Sequence, residues 1–187
     1  IGEKMKKIIL TVFAATSLLL YSTPSFAFSI SLGVPIDYTF AEGSSEKDSF
    51  SGYFLGVQLP FAMGLGIDSH KYKAKGSTDT VNTNIYNLFY QLPIPVINLI
   101  LGLGVGSQNL ECADSGRSDD TVISCKDAYD KGSVTQWYTS IGFPIIPLFD
   151  IHLSYRSITS KKMKAKSGGT EMDYSGSVTG IGFAFNF

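Results

Sequence analysis

Apolar side chains recur at every second position through most of this chain, which is the side-chain period of a β-strand. A first strand is predicted from Phe28, with Ile30, Leu32, Val34, Ile36, Tyr38 and Phe40 on the same face and Ser29, Ser31, Gly33, Pro35, Asp37 and Thr39 on the other. The next two segments set Tyr53, Leu55, Val57, Leu59 and Phe61 against Gly52, Phe54, Gly56 and Gln58, and then Leu65 and Ile67 against Gly64, Gly66, Asp68 and His70. A fourth, from about Thr83 to Leu92, carries Tyr86, Leu88, Tyr90 and Leu92 outward and Asn87, Phe89 and Gln91 inward. The fifth sets Leu99, Leu101, Leu103 and Val105 against Ile100, Gly102, Gly104 and Gly106, although Val96 to Leu101 is apolar at nearly every residue. The sixth and seventh turn Trp137, Thr139, Ile141 and Phe143, then Phe149, Ile151, Leu153 and Tyr155, away from Gln136, Tyr138, Ser140, Gly142, Asp150, His152, Ser154 and Arg156. The last carries Thr179, Ile181, Phe183, Phe185 and Phe187, separated by Gly180, Gly182, Ala184 and Asn186.

The connections alternate in character. Polar loops fall at 41–49, 71–82, 108–131 and 157–173, while the intervening turns are short and carry Pro, as in Gln58-Leu59-Pro60-Phe61, Gln91-Leu92-Pro93-Ile94 and Gly142-Phe143-Pro144-Ile145. Proline lacks the N–H that a central ladder position needs and suits strand ends and turns. An even number of strands of about ten residues, long loops at one end and short turns at the other, describe a transmembrane barrel. The expected fold is therefore all-β: an eight-stranded antiparallel up-and-down transmembrane β-barrel. A soluble barrel would instead carry Lys and Glu along its outer face, whereas here those residues gather in or beside the loops. A closed barrel also satisfies its backbone without water.

The residues before Phe28 fit a cleavable signal peptide. Met5-Lys6-Lys7 is a basic start, Ile8 to Leu20 an apolar run shorter than the roughly 20 residues of a spanning helix, and Ser22 to Ala27 a small-residue exit. The expected division is a leader over 1–27 and a barrel domain over 28–187. The whole sequence has a net charge of −1, and the part from Phe28 onward has 12 basic and 15 acidic residues. That balance gives no attraction to nucleic acid. Cys112 and Cys125, the only two cysteines, fit one disulfide in an exported chain, closing a loop of about fourteen residues and stabilising by roughly 2–4 kcal/mol.

An eight-stranded barrel has room inside for side chains and little else. Inward Gly makes space for Phe54, Phe89 and Tyr138. Arg156 needs a buried partner, and Asp37 or Asp68 across the lumen would supply it. His70 and His152 share the inward face at different heights, so hydrogen-bonded lumen roles are expected and no metal or cofactor. Tyr38, Tyr53, Tyr72, Tyr86, Trp137 and Tyr155 are expected to form an aromatic girdle at the loop side, and Phe28, Phe61, Phe143, Phe149 and Phe187 one at the turn side. Lysines of the second and fourth loops, Lys71, Lys73, Lys75, Lys161, Lys162, Lys164 and Lys166, fit either of two roles, solvated loop charges that aid solubility or point-charge contacts to lipopolysaccharide phosphates.

The closing segment, with Ile181, Phe183, Phe185 and a terminal Phe187, resembles the C-terminal signature of bacterial outer-membrane barrels, which in that family is read by the barrel-assembly machinery. In architecture the chain resembles small barrels of the OmpA transmembrane-domain and OmpX kind. The resemblance implies export through the periplasm into the outer membrane of a Gram-negative-type cell. It implies a non-catalytic scaffold that displays four loops, open to a surface ligand. A transport barrel for a small or hydrophobic compound, OmpW-like, is the alternative. A third reading comes from His152-Leu153-Ser154, which resembles the His-x-Ser core of outer-membrane lipid A deacylases. It would make His152 the base, Ser154 the nucleophile and Glu171 the supporting acid, but Tyr155 stands where that family has Asn, and both residues take inward parity.

Overall fold

A computed structural model describes residues 28–41, 47–74, 80–92, 94, 97–111, 131–146, 148–163, 171 and 173–187. Eight strands succeed one another along the chain: β1 (Ser29–Phe40), β2 (Lys47–Gln58), β3 (Met63–Ala74), β4 (Thr80–Leu92), β5 (Asn98–Glu111), β6 (Gly132–Ile146), β7 (Phe149–Ser160) and β8 (Gly176–Asn186). Each pairs antiparallel with its sequence neighbours, and β8 returns to β1 to close the barrel. The closure is backed beyond the ladder: Phe187 N–H donates to Phe28 O at 2.8 Å, and Asn186 N–H to Leu148 O at 3.0 Å. Residues 1–27, Cys112 and Cys125 lie outside the described residues.

The membrane-facing pattern is realised strand by strand. Ile30, Leu32, Val34 and Ile36 are exposed on β1, as are Leu65 and Ile67 on β3, Tyr86, Leu88 and Tyr90 on β4, Leu101, Leu103 and Val105 on β5, and Phe183 and Phe185 on β8. In the ambiguous fifth segment Ile100 points inward and Leu101 outward. From Phe28 to Ile36 the outward apolar positions cover about 27 Å of strand at ~3.4 Å per residue. A tilt of about 40° and the reach of the side chains turn that into the ~25 Å apolar band of a transmembrane barrel.

Two departures from the expected pattern sit at the loop end. A bulge in β1 shifts the register between Pro35 and Asp37. It inserts an extra residue and reverses the face of everything after it. Tyr38 therefore lies inside, 3% exposed, with Phe40 packed behind it, and Asp37 pairs with the exposed Thr179 on the outer side. Tyr72 is also inside, 2% exposed. The loop-side girdle is thus Tyr53, Tyr86, Trp137 and Tyr155, without Tyr38 and Tyr72.

The second departure is length. β2, β3, β4, β5 and β7 run past the girdle into segments expected to be loop. Here the two faces exchange character. Outward positions become Ser51, Asn84, Ser107, Thr135, Thr159 and Thr179, while inward positions become Tyr38, Tyr72, Val81, Ile85, Leu110, Val134, Ile158 and Val178, which form one buried cluster. Water replaces lipid outside, so the outer face turns polar, and the projecting part of the barrel is held by an apolar core of the ordinary kind.

Candidate functional site: a lumen filled at two levels

The lumen divides into three levels. At the turn side the inward residues are polar. Asp150 Oδ2 accepts from Asn98 Nδ2 at 2.5 Å and from Asn186 Nδ2 at 3.0 Å, and Gln91 Nε2 donates to Asn98 Oδ1 at 2.7 Å. One turn of the ladder higher, His152 Nδ1 lies 3.4 Å from Ser140 Oγ, and its Nε2 is 3.8 Å from Asp150 Oδ2, beyond a hydrogen bond. Ser154 donates instead to Gly180 O at 3.4 Å. His152 and Ser154 thus share the lumen without contacting each other through a hydrogen bond, and Glu171 is an exposed residue between β7 and β8.

The middle level is built around Arg156. Its guanidinium carbon lies 3.7 Å from the centre of the Phe54 ring and 4.5 Å from that of Tyr138, so the cation is sandwiched between two aromatic faces. Its Nε is 3.1 Å from Asp68 Oδ2 on β3, across the barrel. The contact is an ion pair and not an aligned hydrogen bond, since Nε has no hydrogen-bond partner among the described residues. Gln136 Nε2 donates to Asp68 Oδ2 at 2.6 Å and to Asn87 Oδ1 at 2.9 Å, tying β3, β4 and β6 into the same layer. Of the two acids that the sequence offered to Arg156, Asp68 is the one beside it.

The rings of this level owe their positions to glycine. A Cβ at Gly102 would fall onto the Tyr138 ring, one at Gly64 onto Phe89, and one at Gly180 onto Phe54. Each large inward side chain thus occupies the space that a missing side chain on another strand leaves. Below the clamp lies a cavity of about 50 Å³, lined by Asp68, Asn87, Ser140, His152, Ser154 and Arg156 among others, and beyond it one of about 10 Å³ beside Asp150 and Asn186. Since a water needs about 10–15 Å³ of such space, the two together match a few water molecules and not a permeant solute.

The outer level is the apolar cluster. The Tyr38 and Tyr72 rings stack at 4.7 Å, and Gln108 Nε2 donates to the Tyr72 hydroxyl at 2.9 Å. His70 is fully buried between Phe50 and Phe54, with ring centroids at 6.1 and 5.3 Å. The segment before β8 folds over this end: Tyr38 OH donates to Tyr174 O at 2.7 Å, and Tyr174 packs against the cluster. Ser175 anchors it. Its Oγ and its N–H donate to Asp173 Oδ1 at 2.6 and 2.9 Å, and the same Oγ accepts from Ser160 N–H at 2.9 Å. These hydrogen bonds hold the Asp173 carboxyl below its ordinary value of 3.8, with a smaller contribution from Lys162.

The C-terminal signature residues Ile181, Phe183, Phe185 and Phe187 all take the outward face. Phe149 links Phe183 and Phe185 at ring distances of 5.3 and 5.1 Å, and Phe28 lies 6.2 Å from Phe187. The outer cluster and the cap by Tyr174 are absent from the sequence expectation. Their trace in the sequence is a set of single apolar residues, Val81, Leu110, Val134 and Ile158, spaced at inward parity within otherwise polar stretches.

Comparison with known structures decides the fold group. The crystal structure of Neisserial surface protein A (NspA) aligns with a TM-score of 0.61 at 12% sequence identity, covering 87% of this chain and 98% of that one. The N-terminal β-barrel domain of Pseudomonas aeruginosa OprF aligns with a TM-score of 0.54 at 13% identity, covering 87% and 98%. This is the fold of the small outer-membrane barrels. No family model matches the chain, and no curated protein matches it in sequence.

Proposed function

We propose that the protein is a non-conducting, non-catalytic scaffold in the outer membrane of a Gram-negative-type cell, exported through the periplasm and presenting its loop-side end to the surroundings. The observation that carries this reading is the series of two seals. An ion crossing the lumen would have to displace a guanidinium held by an ion pair and two rings, and would then meet a tightly packed, mainly apolar cluster, where an unpaired charge is costly. The projecting, internally packed loop end fits the display of a rigid surface to a ligand or to lipopolysaccharide, with Lys71, Lys161 and Lys162 exposed at that end. The outward Ile181, Phe183, Phe185 and Phe187 suit recognition by the barrel-assembly machinery before the strand is surrounded by lipid.

Against the transport reading stands the cavity of about 50 Å³ below the clamp, which has room for water and not for a larger solute. The deacylase-like reading would need His152 and Ser154 at the lipid face, and both turn inward. Planar-bilayer recording of the refolded barrel tests the proposal. Folded protein, judged by heat-dependent gel mobility, is expected to insert without conductance steps. Reproducible steps would overturn the sealed-scaffold reading in favour of permeation.

A further inference from the structure

One of the eight ladders is much shorter than the rest. β1 and β2 pair over five rungs, from Ser29–Gln58 to Gly33–Phe54, while each of the other seven ladders runs over ten to thirteen. Both strands extend beyond that point on the loop side, β1 as far as Phe40 and β2 from Lys47, each still paired with its other neighbour, β8 or β3. Among the described residues no rung joins them across this stretch. The sequence of β1 accounts for the break. The next two rungs would set Val34 against Tyr53 and Pro35 against Gly52. Proline has no N–H to give to a ladder, and the bulge that follows it redirects the strand. Ile36, the extra residue of that bulge, has no rung on either side.

This seam is closed from inside by rings and left open outside. Tyr38 of β1 and Phe50 of β2 meet with ring centroids 5.4 Å apart, and Phe54 lies at the lower end, in the space that Gly33 and Gly180 leave. On the outer side the banks are apolar: Val34 is 52% exposed, Ile36 60% and Tyr53 49%. Towards the loop side they turn polar, with Thr39, Ser49 and Ser51 exposed. Towards the turn side the seam runs into Leu32 and Leu55, both on the lipid-facing surface. The result is a slot in the barrel wall with an aromatic floor, an apolar lower part and a polar upper part.

We propose that this slot is a binding site for one lipid of the loop-side leaflet, its alkyl chain along Ile36, Val34 and Leu32 and its head group among Thr39, Ser49 and Ser51. The proposal rests on the transmembrane placement and goes beyond the scaffold reading. The lipid is held in the wall and does not pass through it, because the rings of Tyr38, Phe50 and Phe54 close the floor. Three observations select this occupant. The slot is continuous with the lipid-facing surface at Leu32 and Leu55. Its polarity changes along its length in the sense of an amphiphile. Its backbone lacks rungs across the seam at the height of the girdle residue Tyr53, where the ester and hydroxyl oxygens of a lipid supply hydrogen-bond partners that hydrocarbon does not. The other seven seams carry long ladders and offer a lipid their side chains alone.

Lipid retention tests this. The barrel is folded into phosphatidylcholine vesicles, extracted in mild detergent, and weighed by native mass spectrometry. Two variants are compared with the wild type, each checked for folding by heat-dependent gel mobility. Ile36→Glu puts a charge into the apolar part of the slot, and Val105→Glu puts the same charge on β5, where the barrel leaves the lipid on another wall. The expected result is a species carrying one phosphatidylcholine in the wild type and in Val105→Glu, reduced at least about fivefold in Ile36→Glu. No retained lipid in the wild type would overturn the slot. Equal retention in Ile36→Glu would place the lipid elsewhere, and equal loss in both variants would make it ordinary surrounding lipid; either result overturns the proposal. Quenching of Trp137 by chain-brominated phosphatidylcholine in the same vesicles reads the transmembrane placement separately. With Trp137 quenched, failure of retention removes the slot alone; with Trp137 unquenched in folded protein, the placement falls and the slot with it.

Discussion

Replacing Arg156 with Ala removes the centre of the middle seal, and the structure sets the size of the effect. Three contacts are lost: the ion pair to Asp68 at 3.1 Å and the two ring faces at 3.7 and 4.5 Å. Asp68 is 2% exposed and would keep the Gln136 amide as a close donor. Removing one member of a buried ion pair costs about 3–5 kcal/mol, because the remaining charge is stranded. A desolvated cation–π contact adds up to about 2 kcal/mol. The terms do not sum, since the cavity below the clamp lets water reach Asp68 in the variant. We expect about 3–5 kcal/mol in all, a large fraction of a typical folding free energy of about 5–15 kcal/mol. Arg156→Lys keeps the charge but loses the planar stack, so it should fall between wild type and Ala. The pairing itself is isolated by a cycle: Asp68→Asn together with Arg156→Met should cost at least about 2 kcal/mol less than the two single changes added. Guanidinium unfolding in detergent micelles, followed by Trp137 fluorescence and gel mobility, reads all of these variants. A loss under about 1 kcal/mol for Arg156→Ala, the range of a surface pair, or an additive cycle, would refute the clamp as a stabilising unit.

The same variant separates the two seals: Arg156→Ala is expected to stay silent in planar bilayers, because the cluster around Tyr38, Tyr72 and Leu110 remains closed above it. Conductance from that single change would show the outer cluster to be permeable. Gly102→Ala places a methyl group against the Tyr138 ring, which Arg156 holds in place, and should destabilise by about 1–3 kcal/mol through overpacking; equal unfolding midpoints would mean that the ring moves freely. At the cap, the folded-state value of Asp173 lies below the ordinary 3.8, so its contribution is present above that pH and is lost as pH falls below it. The stability gap between wild type and Asp173→Asn should accordingly be flat near neutral pH and narrow as the pH falls through and below 3.8, and a gap that widens on acidification would contradict the Ser175 hydrogen bonds as its cause.

The membrane-spanning half of the fold is legible because two requirements act on the same positions. Lipid demands an apolar outer face, and a narrow lumen demands small or polar inward residues, so Leu101-Gly102-Leu103-Gly104-Val105 admits one orientation. Asp68 and Arg156 can be read as lumen residues for the same reason. Asp37 cannot be placed correctly from the pattern, because a single bulge residue reverses the face of every later position in β1 and leaves no mark in the alternation itself. Tyr38 leaves the girdle through the same reversal. Tyr72 leaves the girdle for a different reason: it shares the inward parity of Asp68 and His70 on an unbroken β3 ladder, which nearness to a strand end does not override.

The loop end is illegible because its solvent is exchanged and its period is not. In Thr80-Val81-Asn82-Thr83-Asn84-Ile85 only Val81 and Ile85 are apolar, and such a segment scores as loop when the test is an apolar outer face. Both are nonetheless at the parity of Asn87 and Phe89, so the strand continues and only the sign of its amphipathicity changes. The height at which that sign reverses, just past Tyr86 on β4, Val105 on β5 and Trp137 on β6, is where the barrel leaves the lipid. Below it the inward residues are mainly polar and centre on one paired charge; above it they are mainly apolar and packed together with buried His70, Thr83 and Gln108. A barrel needing only to span the membrane could end at that line. Continuing for several residues beyond it, with a buried core and a segment anchored by Ser175, packs the projecting end, and a packed end is what the proposed scaffold role requires.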